Sequence, residues 1–337
     1  MKTKVGIINV TGYIGMEIAR ILHGHPDIEL ASITGRSSVG QRLGDVLPHL
    51  ADIDLPIESS LGDVSLAFSA LPHKESAETI AKALERGIRV VDVSADFRLK
   101  QAAEYDRWYG FTHPSPGLLA EAVYGLVELN RSSIAKSRLI ANPGCYPTGA
   151  ILALAPAVKE GIIDPEIIVD SKSGVSGAGR ALSLKVHFAE ANENVSAYAL
   201  EGHRHLPEIV QELGRLNAKL KPAVTFVPHL IPMNRGILST CYAKLAKPKA
   251  DVVKIYRDFY RDEPFVRVVA TPPQTKQTLG TNLCLVYPTI DSRTGRLIVV
   301  SCIDNLVKGG AGQAVQNMNL MLGLPETTAL KSLAIYP

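Results

Sequence analysis

The first half of the chain alternates short apolar runs with stretches in which apolar positions recur at helical spacing. The runs typical of buried β-strands are residues 4–10, 28–34, 64–70 and 89–93. The helical patterns between them cover residues 14–22 and 74–86. Strands and helices in this order predict a parallel sheet wound with helices, the doubly wound α/β class.

The second half of the chain has a different pattern. Its strand-like runs are residues 167–170, 237–245, 283–288 and 297–303. A turn at residues 291–295 joins the last two runs, and strands joined by so short a turn pair antiparallel. Helical patterns cover residues 207–216 and 313–322. We therefore predict an α+β domain with a mixed, largely antiparallel sheet and helices on one face, and we expect the last helix to return to the first domain.

A glycine turn joins the first strand to the first helix. Its residues are Thr11, Gly12, Tyr13, Ile14 and Gly15. Glycines here let the backbone approach a pyrophosphate at the helix N-terminus. Similar turns also occur in folds that bind no nucleotide, so the turn alone leaves both interpretations open. Asn9 stands where the first glycine is usual, and asparagine tolerates the left-handed backbone better than most residues.

The end of the second strand indicates which dinucleotide would bind. An acidic residue there would bind the ribose of NAD, whereas this chain has Arg36, Ser37 and Ser38, which suit the 2′-phosphate of NADP. A solvated loop arginine is the alternative. We assign residues 1–144, completed by residues 305–337, to an NADP-binding Rossmann-type domain, and residues 145–304 to a catalytic and dimerisation domain.

Cys145 lies between a short apolar run and a helical pattern. Gly144 and Pro147 bracket it, and Pro147 suits the first helical position because no backbone N–H is needed there. Unpaired N–H groups and the helix dipole favour a negative charge near that end. A thiol with a pKa of roughly 8.5 is only a few per cent thiolate at neutral pH, so such a site would activate it. This bracket favours an exposed, nucleophilic sulfur over a buried structural cysteine.

Two further segments carry polar groups suited to a small-molecule site. Residues 171–180 form a loop rich in glycine and hydroxyl groups that ends in a basic residue, and such a loop can wrap an anion or a nicotinamide. His203 and His205 precede a helix, and two histidines so spaced in an extended segment point the same way. An acid/base partner for Cys145 needs one of them, and the spacing does not decide which. A flexible loop and surface histidines are the alternatives.

Composition narrows the classes of partner. The 337 residues are enough for two domains, and 36 basic and 33 acidic side chains give a net charge of +3, which favours neither nucleic acid nor a membrane surface. No apolar run reaches the ~18 residues of a membrane span. The first strand starts almost at once, so we expect no signal peptide. The four scattered cysteines predict a reducing, cytoplasmic location and offer no metal-ligand spacing.

Taken in order, the motifs resemble the N-acetyl-gamma-glutamyl-phosphate reductases, the arginine-pathway branch of the semialdehyde dehydrogenase group. The resemblance covers essentially the whole chain, and the ordered set is far more specific than any single motif. The matching segments are residues 11–15, 71–73, 94–99, 142–148, 173–180, 202–209 and 304–312. Asn9 departs from the usual glycine, and this departure concerns the pyrophosphate turn.

The resemblance implies that Cys145 is the nucleophile and His203 the acid/base group, with His203 holding the thiolate as an ion pair. It implies a cysteine thioester that NADPH reduces to an aldehyde with release of phosphate, no metal, and a homodimer or homotetramer. The expected substrate-binding residues are Arg98, Asn142, Ser176, Arg180, His205 and Glu208. The expected cofactor-binding residues are Thr11, Gly12, Tyr13, Ile14, Gly15, Arg36, Ser37, Ser38, Pro72, Ser173, Gly174 and Asn305.

Other functions remain open at this point. The nearest are sister acyl-phosphate reductases that act on aspartyl phosphate or on a carrier-linked aminoadipyl phosphate. The run from Gly144 to Thr148 favours the arginine-pathway branch over the lysine one. A Cys–His hydrolase would need no dinucleotide turn, and an NADP-sensing regulator would need no reactive thiol.

Overall fold

The structure is a computed structural model that describes residues 2–247 and 249–336. Its β-strands are β1 (Thr3–Ile8), β2 (Ile28–Thr34), β3 (Ile57–Glu58), β4 (Leu66–Ser69), β5 (Arg89–Asp92), β6 (Val123–Tyr124), β7 (Leu139–Ala141), β8 (Ile163–Gly174), β9 (Ser196–Ala197), β10 (Ala223–Ile231), β11 (Ile237–Leu245), β12 (Val266–Val268), β13 (Cys284–Asp291) and β14 (Arg296–Ile303). Its α-helices are α1 (Tyr13–His23), α2 (Leu43–Val46), α3 (Ser76–Glu85), α4 (Ala103–Tyr109), α5 (Leu118–Glu121), α6 (Val127–Ile134), α7 (Cys145–Lys159), α8 (Phe188–Ala191), α9 (Leu206–Leu216), α10 (Val252–Phe259) and α11 (Gly312–Met321).

The strands of the first half form a seven-stranded parallel sheet in the order β3-β2-β1-β4-β5-β7-β6. Successive residues of the central strands are buried, as in the pair Val90 and Val91, both 0% exposed. Burial of both faces is what a parallel sheet requires, and it explains why these strands are continuous apolar runs. The predicted doubly wound α/β fold is confirmed.

The chain divides into two compact units. The first contains the residues up to Pro143 together with Gly310–Ser332, and the second contains Gly144–Gly309 together with the residues from Leu333 on. We expected the first domain to end at residue 144 and to be completed by all of residues 305–337. The structure keeps Asn305 in the second unit because its side chain accepts a hydrogen bond from the Gly236 N–H at 2.8 Å. Ile335 also stays there, since its N–H donates to the Leu279 carbonyl at 3.2 Å.

The second unit has a mixed sheet in the order β12-β13-β14-β11-β8-β10-β9. The pairs β13–β14, β14–β11 and β11–β8 are antiparallel, whereas β8–β10 and β12–β13 are parallel. The predicted mixed, largely antiparallel sheet is therefore confirmed. β8 is longer than the predicted residues 167–170 and includes residues 171–174, which we expected in a loop.

Three helices pack together in the second unit. α7 contacts β8, β11, β13 and β14, and α9 and α10 flank it. Residues 151–154 of α7 are all at most 1% exposed, so this helix is the buried centre of the unit. Such an apolar helix owes its stability to tertiary packing, and the packing fixes the position of its first residue, Cys145. Across residues 2–247 and 249–336, no helix is both long and apolar enough to cross a membrane.

Candidate active site

In the first unit, the turn after β1 is built around Asn9. Its backbone is left-handed, with φ of +67°. The side chain holds this conformation, since Nδ2 donates to the Ala70 carbonyl at 2.9 Å, and the backbone N–H donates to Thr34 Oγ1 at 3.2 Å. Asparagine thus supplies the backbone conformation for which the usual pattern has glycine, and it ties the turn to the ends of β2 and β4.

The two glycines of this turn have separate roles. A Cβ on Gly15 would lie 2.6 Å from the Asn9 carbonyl oxygen and 2.7 Å from that of Val10, so only glycine allows α1 to pack so closely on β1. A Cβ on Gly12 would come no closer than 3.7 Å to Asn9 Nδ2, which is an ordinary contact, so packing within the protein does not require glycine at this position. Among the described residues, the start of α1 has neither a side-chain cap nor an acidic residue in its first turn. This N-terminus fits a pyrophosphate.

Arg36 lies just beyond β2 and makes an ion pair. Its guanidinium is 2.6 Å from Glu75 Oε2, and the two side chains are 57% and 43% exposed. Ser37 is exposed and Ser38 half-buried beside it. The three residues predicted to recognise a 2′-phosphate therefore lie at or near the surface, and the Arg36 guanidinium is paired with the Glu75 carboxylate.

Hydrogen bonds to Asp96 hold the loop after β4 in place. The Asp96 carboxylate accepts hydrogen bonds from the N–H groups of Lys74 at 2.9 Å, Ser76 at 3.1 Å and Ala77 at 3.1 Å. These bonds cap α3 and hold Lys74 in a left-handed conformation with φ of +76°. Pro72 is consequently exposed on a fixed loop at the carboxyl end of the sheet.

In the second unit, Cys145 is the first residue of α7, with Gly144 as the N-cap. Cys145 is half-buried, whereas the other three cysteines are buried. Burial raises the pKa of Cys241 to about 12 and that of Cys302 to about 11, so those thiols are inert at neutral pH. The expected helix-end position is confirmed. Pro147 is the third helical residue and not the first. Proline is tolerated there because a backbone N–H at this position would also lack an intrahelical acceptor.

Glu208 joins the starts of α7 and α9. Its side chain is fully buried, and Oε1 accepts a hydrogen bond from the Gly144 N–H at 2.8 Å. An acceptor at this point satisfies one orphan donor of α7 and fixes the turn that carries the sulfur. The contact also brings the residues before α9, which include both histidines, to the start of α7.

His203 and His205 lie in an aromatic cluster with Tyr146, the residue that follows Cys145. Their ring centroids are 4.8 Å apart, and Tyr146, Tyr198 and Phe226 stand edge-on to His203 at 5.7, 5.5 and 5.4 Å. The segment is a turn and not the extended chain we expected, since the His205 N–H donates to His203 Nδ1 at 3.1 Å. The rings meet because of this turn.

Burial in this cluster lowers the pKa of His203 to about 4, and the Arg204 guanidinium adds to the effect. The imidazole is therefore neutral at neutral pH in the unliganded chain. The expected imidazolium–thiolate ion pair would therefore form only when the neutral imidazole accepts the Cys145 proton. With Nδ1 taken by the His205 N–H, Nε2 is the nitrogen that can exchange a proton.

Two family models match the chain. "Semialdehyde dehydrogenase, NAD binding domain" matches residues 4–137, and "Semialdehyde dehydrogenase, dimerisation domain" matches residues 145–305. The chain belongs to the semialdehyde dehydrogenase family. The N-acetyl-gamma-glutamyl-phosphate reductase of Dehalococcoides mccartyi is 60% identical over 339 residues, which cover 100% of this chain and 99% of that protein. The reductase of the same name from Pelotomaculum thermopropionicum is 51% identical over 352 residues, 100% of both chains.

Solved structures of the family share the fold. Aspartate semialdehyde dehydrogenase II of Vibrio cholerae, complexed with ASA, has a TM-score of 0.74 at 18% identity and covers 96% of this chain and 99% of that one. The aspartate semialdehyde dehydrogenase of Candida albicans with NADP has a TM-score of 0.69 at 16% identity and the same coverage of both chains. Identities this low show a common fold and nothing finer.

Some residues expected at the family's substrate site have other contacts here. The buried Arg98 donates from Nε to the Asn142 carbonyl at 2.8 Å and from Nη2 to the Val93 carbonyl at 2.9 Å. The Asn142 amide donates to the Gly310 carbonyl at 3.1 Å and accepts from Asn317 at 3.0 Å. The side chains of both residues thus brace the first unit. Glu208 positions the Cys145 turn, as described above.

The remaining expected residues lie around the end of β8. Asn305 donates to Ser176 Oγ at 2.9 Å, and Ser173 donates to the Gly174 carbonyl at 3.0 Å. A Cβ on Gly174 would be 2.6 Å from the Asn234 carbonyl oxygen, so the strand end is tightly packed. Arg180 is exposed, six residues after Gly174.

Sequence reasoning missed Tyr198 and underused Gly309. The Tyr198 hydroxyl donates to the Tyr146 hydroxyl at 3.2 Å. The Tyr146 hydroxyl in turn donates to the His229 carbonyl at 3.1 Å. A Cβ on Gly309 would lie 2.8 Å from Cys145 Cβ and 3.1 Å from its Cα. The glycine-rich run at 309–312 indicated close packing, but nothing in the sequence named the thiol as the neighbour.

Proposed function

We propose that this chain catalyses the NADPH-dependent reduction of N-acetyl-gamma-glutamyl phosphate to N-acetylglutamate semialdehyde, with release of phosphate, in arginine biosynthesis. The observation that carries the proposal is the half-buried Cys145 at a helix N-terminus whose N-cap is bonded to the helix that follows His203. Full-length relatives at 60% and 51% identity bear the name of that reductase. An acyl phosphate suits a thiol nucleophile because phosphate is a good leaving group.

In the acylation step, His203 Nε2 accepts the proton of the Cys145 thiol. The resulting thiolate attacks the γ-carbonyl carbon, the new C–S bond forms, and the bond from that carbon to the phosphate oxygen breaks. Phosphate leaves with the electron pair, and Cys145 holds a thioester. The dipole at the start of α7 lowers the free energy of the thiolate that this step needs.

In the reductive step, the carbonyl oxygen of the thioester becomes an oxyanion that the chain must stabilise. Bound NADPH supplies the hydride for this reduction. The N–H of Gly144 bonds to Glu208, that of Thr148 bonds to the Gly144 carbonyl, and Pro147 has none. We assign the N–H of Tyr146, which follows the nucleophile at the start of α7, as an oxyanion donor. His203 protonates the oxygen, then removes that proton as the C–S bond breaks, and the aldehyde leaves Cys145 as thiolate.

The cofactor assignment is NADP, held by the residues expected from the sequence. The pyrophosphate would face the backbone of residues 11–15, since the start of α1 has no side-chain cap and no acidic residue in its first turn. Arg36, Ser37 and Ser38 would hold the 2′-phosphate, because Arg36 supplies a cation at the end of β2. Pro72, Ser173, Gly174 and Asn305 complete the proposed set. Arg180 and His205 would hold the substrate's charged groups, together with Ser176.

We propose that the chain forms a homodimer through the sheet of the second unit. α7, α9 and α10 pack on one face, and residues that alternate with the buried ones point away from it. Ile168 on β8 is 40% exposed, with Tyr242 beside it on β11. A second apolar surface on residues 181–200, where Leu182 and Phe188 are 104% and 78% exposed, suits further assembly to a tetramer. A cytoplasmic location is part of the same proposal.

The test of the substrate is a steady-state assay in the reverse direction. N-acetylglutamate semialdehyde, phosphate and NADP are compared with aspartate semialdehyde under the same conditions. We expect kcat/KM to favour the N-acetylated substrate by at least ~100-fold, because a site built for one set of polar groups leaves buried groups unpaired with the other. An equal or opposite preference would assign the chain to a sister reductase.

A further inference from the structure

The Arg36–Glu75 ion pair crosses the edge of the sheet where the nucleotide would bind. Arg36 follows β2 and Glu75 lies in the loop after β4, while β1 runs between these two strands. The guanidinium and the carboxylate are 2.6 Å apart. The pair therefore spans the carboxyl end of β1, where the glycine turn begins and where nucleotides bind in sheets of this type.

The start of α3 is capped without the Glu75 carboxylate. The N–H groups that begin α3 are already bonded to Asp96, at 3.1 Å for both Ser76 and Ala77. A carboxylate at Glu75 therefore adds little to capping this helix. The incoming 2′-phosphate would instead compete with this carboxylate for Arg36, since both are oxyanions that bind a guanidinium.

We propose that Glu75 is a specificity-determining residue that competes with the 2′-phosphate for Arg36 and so moderates the preference for NADPH over NADH. This inference rests on the proposed NADP function. Both side chains are partly exposed, so the pair itself is weak, and the effect of removing it is a few-fold change in affinity. NADH has no 2′-phosphate and leaves the ion pair in place.

The experiment is a fluorescence titration of NADPH and NADH at low ionic strength against the wild-type chain, Glu75→Gln, Arg36→Ala and the double variant. We expect Glu75→Gln to lower the Kd for NADPH by roughly two- to fivefold and to leave the Kd for NADH unchanged. In the Arg36→Ala background the same substitution should have no effect. An unchanged or higher Kd for NADPH in Glu75→Gln, or the same gain without Arg36, would overturn the competition.

A matched control is available in the same unit. Arg138 and Glu121 form a pair at 2.7 Å with exposures of 53% and 45%, close to those of Arg36 and Glu75. Arg138 precedes β7, at the amino ends of the parallel strands, where the nucleotide would not bind. Glu121→Gln makes the same change in net charge and should leave both Kd values unchanged; a gain in NADPH affinity there would reduce the Glu75 result to a general charge effect.

The two proposals fail separately in this experiment. If Arg36→Ala weakens NADPH and NADH equally, the NADP assignment itself is wrong. If Arg36→Ala weakens NADPH selectively while Glu75→Gln has no effect, the cofactor assignment stands and the competition is wrong.

Discussion

The two candidate regions of this molecule are built in opposite ways. In the second unit, the thiol lies at the end of a buried helix among aromatic rings, and its neighbours Glu208 and Gly309 are packed without spare space. In the first unit, the predicted 2′-phosphate site consists of exposed side chains on a loop, and its main charge is shared with Glu75. Burial shifts pKa values and fixes distances, whereas exposed charges are screened and change affinity only moderately.

The difference predicts how the two regions respond to substitution. Changes near Cys145 should lower the rate of the chemical steps by large factors and leave dinucleotide affinity almost unaltered. Changes near Arg36 should alter affinity and the choice of dinucleotide with little effect on bound-state chemistry. Four predictions test this division.

The largest expected effect is that of Cys145→Ser. Serine lacks an accessible anion at neutral pH, so we expect kcat to fall by at least ~1,000-fold while the Kd for NADPH stays within twofold. The measurement combines the reverse assay with a fluorescence titration. Cys241→Ala is the control for loss of a thiol. The Cys241 thiol is buried and has a pKa of about 12, so it stays protonated at neutral pH. Retention of a tenth of the wild-type rate would show that Cys145 is not the nucleophile.

The next effect concerns His203 and its pKa. His203→Asn should lower kcat by roughly 100- to 10,000-fold, the usual contribution of a general acid/base. Because burial lowers the pKa of His203 to about 4, its base form persists down to about pH 5. The acid limb of kcat/KM should therefore lie below pH 5, and the His203 ring resonances in NMR should not titrate between pH 8 and 5. A midpoint near 6.5 for either would contradict the neutral-imidazole assignment.

Much of this architecture followed from the sequence, and particular residues show where that reasoning stopped. The apolar patterns located β2 and β11 at their observed bounds, residues 28–34 and 237–245. The Gly144–Pro147 bracket likewise located the start of α7. Local signals of this kind survive because the responsible contacts are close in the chain.

The parts that sequence could not supply depend on contacts between distant residues. We expect Asn142 and Glu208 at the substrate because they are polar residues inside motifs. Their hydrogen bonds to residues 175 and 64 positions away could not be read from the sequence. Burial lowers the pKa of His203, with Arg204 adding to the effect, and the rings that surround His203 (Tyr146, Tyr198 and Phe226) come from three separate segments. Polar side chains of a motif and those of a structural brace have the same sequence signature.

Gly309→Ala tests how tightly the thiol is held. The new methyl would lie 2.8 Å from Cys145 Cβ, so the start of α7 or the segment at 309 must move. A shift of the nucleophile by a fraction of an ångström should lower kcat by roughly 10- to 100-fold with unchanged NADPH affinity. Gly214→Ala in α9 is the control, since its Cβ would meet no heavy atom closer than 3.7 Å. An unaltered kcat in Gly309→Ala would mean that the residues around Cys145 can move to accept the methyl group without displacing the thiol.

The smallest expected effect concerns Asp92 in the first unit. It tests whether a buried carboxyl group there changes the free energy of unfolding and leaves the affinity for NADPH unchanged. Asp92 is fully buried, and burial, with a further contribution from Asp96, raises the pKa of its carboxyl group to about 7. Between about pH 4 and pH 7 the folded chain keeps this proton while the unfolded chain has lost it. The unfolded state binds fewer protons there, so the free energy of unfolding falls as pH rises through this window, by an amount on the order of 1–3 kcal/mol.

Asp92→Asn removes this titration. We expect the loss of unfolding free energy between pH 5 and pH 8, measured by urea denaturation, to be smaller in this variant than in the wild-type chain, and the Kd for NADPH to stay unchanged. Asparagine keeps an oxygen for the Ser94 N–H, which donates to Asp92 at 3.0 Å, so the local hydrogen bonding is largely retained. Asp63→Asn, at an exposed position, should leave the pH dependence as it is. If Asp92→Asn instead alters NADPH affinity and leaves the pH dependence of stability unchanged, the buried carboxyl group belongs to the binding site, and the two regions differ less than their burial suggests.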